Sequence, residues 1–241
     1  MKPNVLIPMA GRGTRFVNVG YDLPKPLIEI KGSPIIEYVI DSLNIYGNYI
    51  FIVQKDHVDH FKIDEVLRRI KPTCSIITTD VVTEGPACSA LLAKDLIDNE
   101  NELVIANCDQ IMNWWGAAFL NAARMYDGTV VTYTHNSPKN SYARISNMGF
   151  VQEIREKEVI SDISLNGIHY WKKGRHFVQS AEEMIEKNDR VNNEFYISHT
   201  YNYLIERCFS VGIHHIPNCQ HHNVGVPEDF ESFIGQQNID S

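Results

Sequence analysis

Cysteine is sparse in this chain and is not arranged for cross-linking. The five cysteines (Cys74, Cys88, Cys108, Cys208 and Cys219) are odd in number, widely spaced and free of any Cys-x-x-Cys pair. That excludes a disulfide framework or a zinc ribbon and fits reduced thiols. Basic charge is also short: 22 Lys+Arg against 30 Asp+Glu leave a formal charge of -8. A general surface for nucleic acid or an anionic membrane is therefore not expected. No apolar run is long enough to span a bilayer, and the N-terminus enters a strand pattern without a charged leader and a long apolar region. A soluble, cytoplasmic protein is expected. Internal repeats, low-complexity tracts and linkers are missing, so the 241 residues read as one continuous domain, 1–241.

What the chain does have begins at residues 4–15, Asn-Val-Leu-Ile-Pro-Met-Ala-Gly-Arg-Gly-Thr-Arg. Val5, Leu6 and Ile7 form a short apolar run typical of a buried strand. The run enters a glycine-rich turn, Ala10-Gly11-Arg12-Gly13-Thr14, where the missing Cβ atoms let a ligand approach the backbone. Successive N–H groups in such a turn form a nest suited to phosphate. Arg15 and Lys25, the latter within Leu23-Pro24-Lys25-Pro26-Leu27, add full positive charges. A Gly-x-Gly turn alone would describe an ordinary tight turn equally well. There is no Gly-Lys-Ser/Thr ending, so this is not a P-loop, and no third glycine completes a dinucleotide fingerprint.

Downstream, Ser33-Pro34 reads as a helix start continued by Ile36, Val39, Ile40 and Leu43. Strands are expected at 49–53, 74–79 and 102–107, with helices at 57–70 and from Gly85-Pro86 onward. Alternating strands and helices imply parallel strands with right-handed crossovers. Beyond Trp114 a helix at 117–125 leads to strands at 128–134, 143–145, 150–154 and 165–171. A helix at 174–187, a strand at 211–216 and a last helix from Pro227 follow. The expected fold is α/β: a Rossmann-like, mixed but mostly parallel sheet flanked by helices, with a small lobe of antiparallel strands. Sites in such sheets lie at the carboxyl ends of the strands, which places the nest after the first strand near Asp109 after the fourth. A lone strand-end Asp often only caps the next helix. Facing a phosphate nest, it becomes a candidate Mg2+ ligand, since Mg2+ uses one or two protein carboxylates plus phosphate oxygens.

The combination of strand, Pro-Met-Ala-Gly-x-Gly-Thr-Arg and Pro-Lys-Pro-Leu resembles the signature of the sugar-1-phosphate nucleotidyltransferases, the nucleoside-diphosphate-sugar pyrophosphorylases. Further matches follow in order: Arg155-Glu156-Lys157, Asn166-Gly167-Ile168-His169-Tyr170, Asn193-Glu194-Phe195-Tyr196-Ile197 and Asn223-Val-Gly-Val-Pro-Glu-Asp229. The resemblance thus covers nearly the whole chain. It implies attack by an acceptor phosphate on the α-phosphorus of a nucleoside triphosphate, with pyrophosphate expelled.

It further implies a nucleotide-binding half, 1–111, and an acceptor-binding half, 112–241. Arg15, Lys25, Asp109 and Lys157 would be the catalytic set. Met9, Ala10, Gly11, Gly13, Thr14 and Arg15 would hold the nucleotide, together with Glu84 and Gly85 in the base-reading segment after strand three. Gln54, just after strand two, faces the same edge. Tyr142, Lys157, Gly167 and Glu194 would hold the acceptor, with Lys157 on its phosphate. Asp109 and Asn223 would hold Mg2+.

Three departures from the family pattern stand out. Ala10 replaces a common glycine, Gln110 follows the metal aspartate, and Asn223 replaces an aspartate, so the second metal ligand would be a neutral amide oxygen, with Asp229 or a water as the alternative. The ten histidines suggest no chelate, because the adjacent pairs His214-His215 and His221-His222 would point to opposite faces of a strand. Trp114, Trp115 and Trp171 suit packing better than a nucleic-acid platform.

The expected partners are an NTP and a phosphorylated small molecule, with no nucleic acid or membrane and a possible homo-oligomer. A close alternative is a cytidylyltransferase acting on a non-sugar phosphate, of the phosphocholine or phosphoglutamine type, in surface-polysaccharide biosynthesis. A glycosyltransferase is disfavoured because Asn107-Cys108-Asp109 lacks the first carboxylate of Asp-x-Asp. A non-catalytic nucleotide-sugar-binding regulator is disfavoured because the charged set is intact.

Overall fold

The computed structural model of the chain describes residues 2–239, with side chains at the C-terminal end described to residue 236. The first half alternates as its apolar runs require. Strand β1 (Asn4–Pro8) is followed by the one-turn helix α1 (Thr14–Val17), a 3-10 turn at Lys25–Leu27, and a short ribbon of β2 (Glu29–Ile30) and β3 (Ser33–Pro34). Then come α2 (Ile35–Leu43), β4 (Asn48–Gln54), α3 (Lys55–Phe61), α4 (Ile63–Ile70), β5 (Ser75–Thr79), α5 (Pro86–Leu91), α6 (Lys94–Ile97) and β6 (Leu103–Ala106). The second half contains β7 (Gln110–Met112), α7 (Gly116–Ala123), β8 (Gly128–Thr134), β9 (Ser141–Ile145), β10 (Val151–Glu156), β11 (Ile163–Trp171) and α8 (Gly174–Glu186). The chain continues through α9 (Thr200–Glu206), β12 (Val211–His215), β13 (His221–Asn223) and α10 (Pro227–Ile239).

Nine of these strands form one mixed sheet. Its main path runs β10-β9-β11-β6-β1-β4-β5, with β8 paired to β11 and β12 to β8. β6, β1, β4 and β5 are mutually parallel, and β11 joins them antiparallel through Ile168 opposite Ala106. The sheet therefore runs without a break from the first half into the second. β1 is buried on both faces, as its unbroken Val-Leu-Ile demands. Val5 and Ile7 join the core layer that includes Phe51, Phe119 and Tyr170, whereas Leu6 joins the layer around Trp171, Phe177 and Tyr201.

Several boundaries differ from those expected. Ser33 and Pro34 pair with Ile30 and Glu29, and the helix starts at Ile35 with Pro34 as its extended cap. The helix expected at 57–70 is broken by Lys62, which sits in the left-handed region at φ 53. Asp64 and Glu65 then supply negative charge to the first turn of α4, where a helix dipole favours it. α1, α9, β7 and β13 had no counterpart among the expected elements.

The pairing of β11 with β8 shifts register between Leu165 and His169. The irregular stretch contains Gly167 at φ 91, and a Cβ there would stand 2.2 Å from Nδ2 of Asn107. Bulges of this kind re-aim side chains beside functional clefts.

Glu102, just before β6, ties the back of the sheet. It accepts from Arg124 Nε and a second guanidinium nitrogen at 2.7 and 2.9 Å and from the Tyr170 hydroxyl at 2.8 Å. Burial alone would raise its pKa, but these donors hold it below the ordinary glutamate value. A depressed folded pKa contributes stability above the unfolded value, and that stability is lost as pH falls through the folded one. Glu102→Gln should therefore cost about 1–2 kcal/mol at neutral pH. The deficit should hold in urea unfolding down to about pH 4, the unfolded value, and shrink as pH falls further through the depressed folded value. A deficit independent of pH would show that the charge contributes nothing.

Candidate active site

The glycine turn leaves β1 at its carboxyl end. Gln54, at the end of the neighbouring β4, donates its amide to the Ala10 carbonyl and fixes the start of the turn. Gly13 sits at φ 60, a left-handed conformation that favours glycine, and caps α1. Phe16, 1% exposed, anchors that short helix by edge contacts to Tyr21 and to Phe230 of α10 at 5.3 and 5.9 Å. Pro24 and Pro26 flank Lys25 in its 3-10 turn and leave the backbone little freedom.

Lys25 reaches the segment that follows β6: its Nζ donates to Asp109 Oδ2 at 2.7 Å. Their side chains are 17% and 19% exposed. Burial alone would push the aspartate up and the lysine down, but their mutual attraction reverses both, leaving Asp109 below and Lys25 above their ordinary values. The pair is charged across the neutral range.

Asp109 is also held from the C-terminal side. β13 pairs antiparallel with β7, with Asn223 opposite Gln110, and Val224 N–H donates to the Asp109 carbonyl at 2.9 Å. Gln110 Nε2 donates to Asp109 Oδ1 at 3.1 Å, and its own Oε1 accepts from His221 Nε2. Burial, with His222 alongside, lowers His221 to about 4. Neutral His221 can therefore donate from one nitrogen only, and the Gln110 carbonyl selects Nε2–H. Gln110, which had no role in the sequence, orients the aspartate.

Asn223 stands at the same point. A Cβ on Gly225 would lie 2.7 Å from Asp109 Oδ2 and 2.9 Å from Asn223 Oδ1, so both oxygens converge on a space that only glycine leaves open. Asn223 Oδ1 accepts from Gly225 N–H at 2.9 Å and keeps a second lone pair. Two converging oxygens, one of them anionic, fit the protein share of a Mg2+ shell completed by substrate phosphates. Among the described residues no group of three or more His, Cys, Asp or Glu could hold a metal by itself.

Two clefts adjoin at Pro86 and Asn107, which line both; Asp109 lines the first, and Gln110 and Asn223 line the second. The first, of about 370 Å3, lies between Met9–Gly13, Lys25, the Val81–Gly85 segment and Asp109. The second, of about 240 Å3, is lined by Asn223, Lys157, Glu156, Asn166, Gly167, His169 and Tyr196, among others. A wide groove beyond it carries Arg15, Lys157 and Asn223. Arg15 is exposed there, close enough to Lys25 for their like charges to oppose each other.

The expected residues are thus distributed unevenly. Met9, Ala10, Gly11, Gly13, Lys25, Gly85 and Asp109 line the first cleft; Lys157, Gly167 and Asn223 line the second. Thr14 is exposed at the start of α1. Gly85, at φ 126, lies against the backbone of Phe195, leaving 2.5 Å for a Cβ.

Four placements differ from expectation. Gln54 serves the loop backbone. Glu84 turns out to Arg190 in an ion pair, and Glu194 lines the first cleft, with the glycine turn and Asp109. Tyr142 is fully buried on β9 and donates to the Ser137 carbonyl at 2.7 Å, because its inward register places it in the core. The sequence reading also passed over Glu156 and His169 as site residues. Both are buried polar residues; on β10 Glu156 shares the inward face with Ile154 two residues earlier, whereas β11 is buried on both faces and gives no such signal.

A strand-to-glycine turn whose lysine clasps the aspartate of a neighbouring parallel strand defines an α/β nucleotidyltransferase. The chain belongs to the MobA-like NTP transferase domain family, whose model matches residues 5–176. The likeness of fold extends further. A nucleoside-diphosphate-sugar pyrophosphorylase from Vibrio cholerae RC9 superposes with TM-score 0.87 at 23% identity, covering 95% of this chain and 99% of that one. A UDP-glucose pyrophosphorylase solved with UDP-glucose gives TM-score 0.78 at 16% identity over 100% of both chains. In sequence, the bifunctional protein GlmU of Methanococcus aeolicus is 26% identical over 114 residues. That match spans 46% of this chain and 25% of the relative.

The Gly225 cradle is directly testable. Gly225→Ala should leave the fold intact by circular dichroism. It should also raise the Mg2+ concentration needed for half-maximal nucleotide binding by about tenfold or more, as loss of a supporting contact at a metal site does. An unchanged Mg2+ requirement would remove Asp109 and Asn223 as joint ligands.

Proposed function

We propose that the protein transfers a nucleoside monophosphate from an NTP to a sugar 1-phosphate or closely similar phosphorylated small molecule, releasing pyrophosphate. The observation that carries this reading is the Lys25–Asp109 contact in the first cleft, which adjoins the second at Pro86 and Asn107. It brings a phosphate-binding turn, a carboxylate and an adjoining acceptor cleft into one place.

In this reading the first cleft takes the base and sugar of the nucleotide. The N–H groups of the glycine turn and Lys25 neutralise its phosphates. Asp109 and Asn223 would hold Mg2+, which when bound supplies positive charge to the triphosphate. Lys157 guides the acceptor phosphate. Its Nζ donates to the Lys139 carbonyl and stands 5.4 Å from the Tyr196 ring, a position from which it can swing to an incoming anion.

An oxygen of the acceptor phosphate forms a bond to the α-phosphorus as the bond from that phosphorus to the bridging oxygen breaks. The electron pair leaves with pyrophosphate. No general base is needed, because a phosphate monoester is already largely ionised near neutrality. Arg15, in the groove beyond Asn223, stabilises charge on the departing pyrophosphate. Positioning and charge stabilisation carry such reactions.

The test is pyrophosphate release with each common NTP, Mg2+ and a panel of acceptor phosphates. At least one pair should turn over. Arg15→Ala should lower kcat by about a hundredfold or more while leaving thermal stability unchanged. Absence of pyrophosphate across the panel would refute the activity; an unaltered rate in Arg15→Ala would refute that residue's role.

A further inference from the structure

Pro86 and Asn107 are the residues that line both clefts. In the proposed transfer the nucleotide takes the first cleft and the acceptor the second, so the α-phosphorus is approached from both sides. These two side chains are placed to meet the phosphoryl group as it changes partner. The proline ring has no polar atom to offer, whereas the asparagine carries an amide with two N–H donors.

Asn107 is the first residue beyond β6 and precedes Asp109 by two positions. β6 runs parallel to β1, with Ile105 opposite Leu6, so Asn107 leaves the sheet at the same end as the glycine turn. Its backbone N–H donates to the Gly167 carbonyl at 3.0 Å. Its side chain lies against the same glycine: a Cβ on Gly167 would stand 2.2 Å from Nδ2 and 2.7 Å from Cγ. The amide is thus held in a slot that only a glycine leaves open. Yet it makes no hydrogen bond to any other described residue. An ordinary exposed asparagine turns freely in solvent. One wedged against backbone with its donors unspent is preorganised for a partner from outside the chain.

The nearby cations are differently committed. Lys25 donates to Asp109 and Lys157 to the Lys139 carbonyl, while Arg15 lines the outer groove and neither cleft. A lysine or arginine in place of Asn107 would be drawn to the Asp109 carboxylate. A neutral amide leaves that carboxylate to Lys25 and still donates to a phosphate oxygen.

We propose that Asn107 is a catalytic residue of the transfer, its amide donating to a non-bridging oxygen of the α-phosphoryl group as that group passes from pyrophosphate to the acceptor. This rests on the transferase reading and assigns a further residue to the same site. The acceptor oxygen bonds to the α-phosphorus while the bond to the bridging oxygen breaks and its electron pair leaves with pyrophosphate. The transition state spreads charge over the phosphoryl oxygens. A donor already fixed beside one of them stabilises that charge without reorganising.

Asn107→Leu keeps the branched shape against Gly167 and removes the donors; Asn107→Ala serves as a second variant. With the NTP and acceptor that the wild type turns over, kcat should fall about a hundredfold in either variant. KM for both substrates should change by about threefold or less, and thermal unfolding should be unaltered. The Rp and Sp α-thio analogues of the same NTP are then compared with the oxygen compound in single turnovers, because sulfur accepts hydrogen bonds weakly. For one diastereomer the preference for oxygen over sulfur should shrink about tenfold in both variants, the share of a hydrogen bond to a charged group.

A preference for oxygen that is unchanged in the variants would show that Asn107 acts through packing alone, and would overturn the proposal. So would an unaltered kcat, or a raised KM for one substrate at constant kcat, which marks a residue that only binds. Those outcomes leave the transferase reading standing, since the wild type still releases pyrophosphate. No release by the wild type with any NTP and acceptor in the panel overturns both.

Discussion

The attraction between Lys25 and Asp109 organises this molecule's functional end. The lysine follows the first strand and the aspartate follows the sixth, and 84 residues of chain separate them. Their contact fixes the glycine turn against the mouth of the sheet. Each charge would be costly in its setting alone; each makes the other tenable. The geometry also explains why the pair is only partly enclosed. A sealed ion pair could not exchange one lysine contact for a substrate phosphate, whereas side chains nearly a fifth exposed can.

Around this contact the chain adds support from distant segments. β13 closes over Asp109 through Asn223 and Val224, and Gln110 passes the orientation of neutral His221 to the carboxylate. At the second cleft the irregular pairing of β11 lets Gly167 yield space to Asn107, which lines both clefts. Each device is a backbone arrangement that holds a polar side chain with little freedom, as preorganised sites require.

Much of this was legible in the residues themselves. Continuous apolar runs such as Val5–Ile7 and Leu103–Ala106 read as buried strands, and the places where they end locate the glycine turn and Asp109. What escaped was non-local. β7 and β13 are three residues each and exist only because each meets the other across some hundred residues of chain. α9 was hidden because Tyr201 and Tyr203 favour strands by propensity. Tertiary packing decides instead, with the Tyr201 ring stacked on Trp171 at 4.6 Å. Tyr142 was misplaced because a motif names a residue without saying which face of its strand is inward. Glu156 shows the converse: its inward position is readable from Ile154 two residues earlier, yet the mixed-charge run points only to its neighbour Lys157.

The edge contacts among Phe16, Tyr21 and Phe230 have a consequence for how the protein comes into being. They join the phosphate turn to the last helix, and Asn223 reaches Asp109 from the same late stretch. A chain emerging from the ribosome can pair its first parallel strands early. The turn and its carboxylate, however, are braced by the final segment, so a nascent or prematurely terminated chain carries the glycine turn without the contacts that hold it.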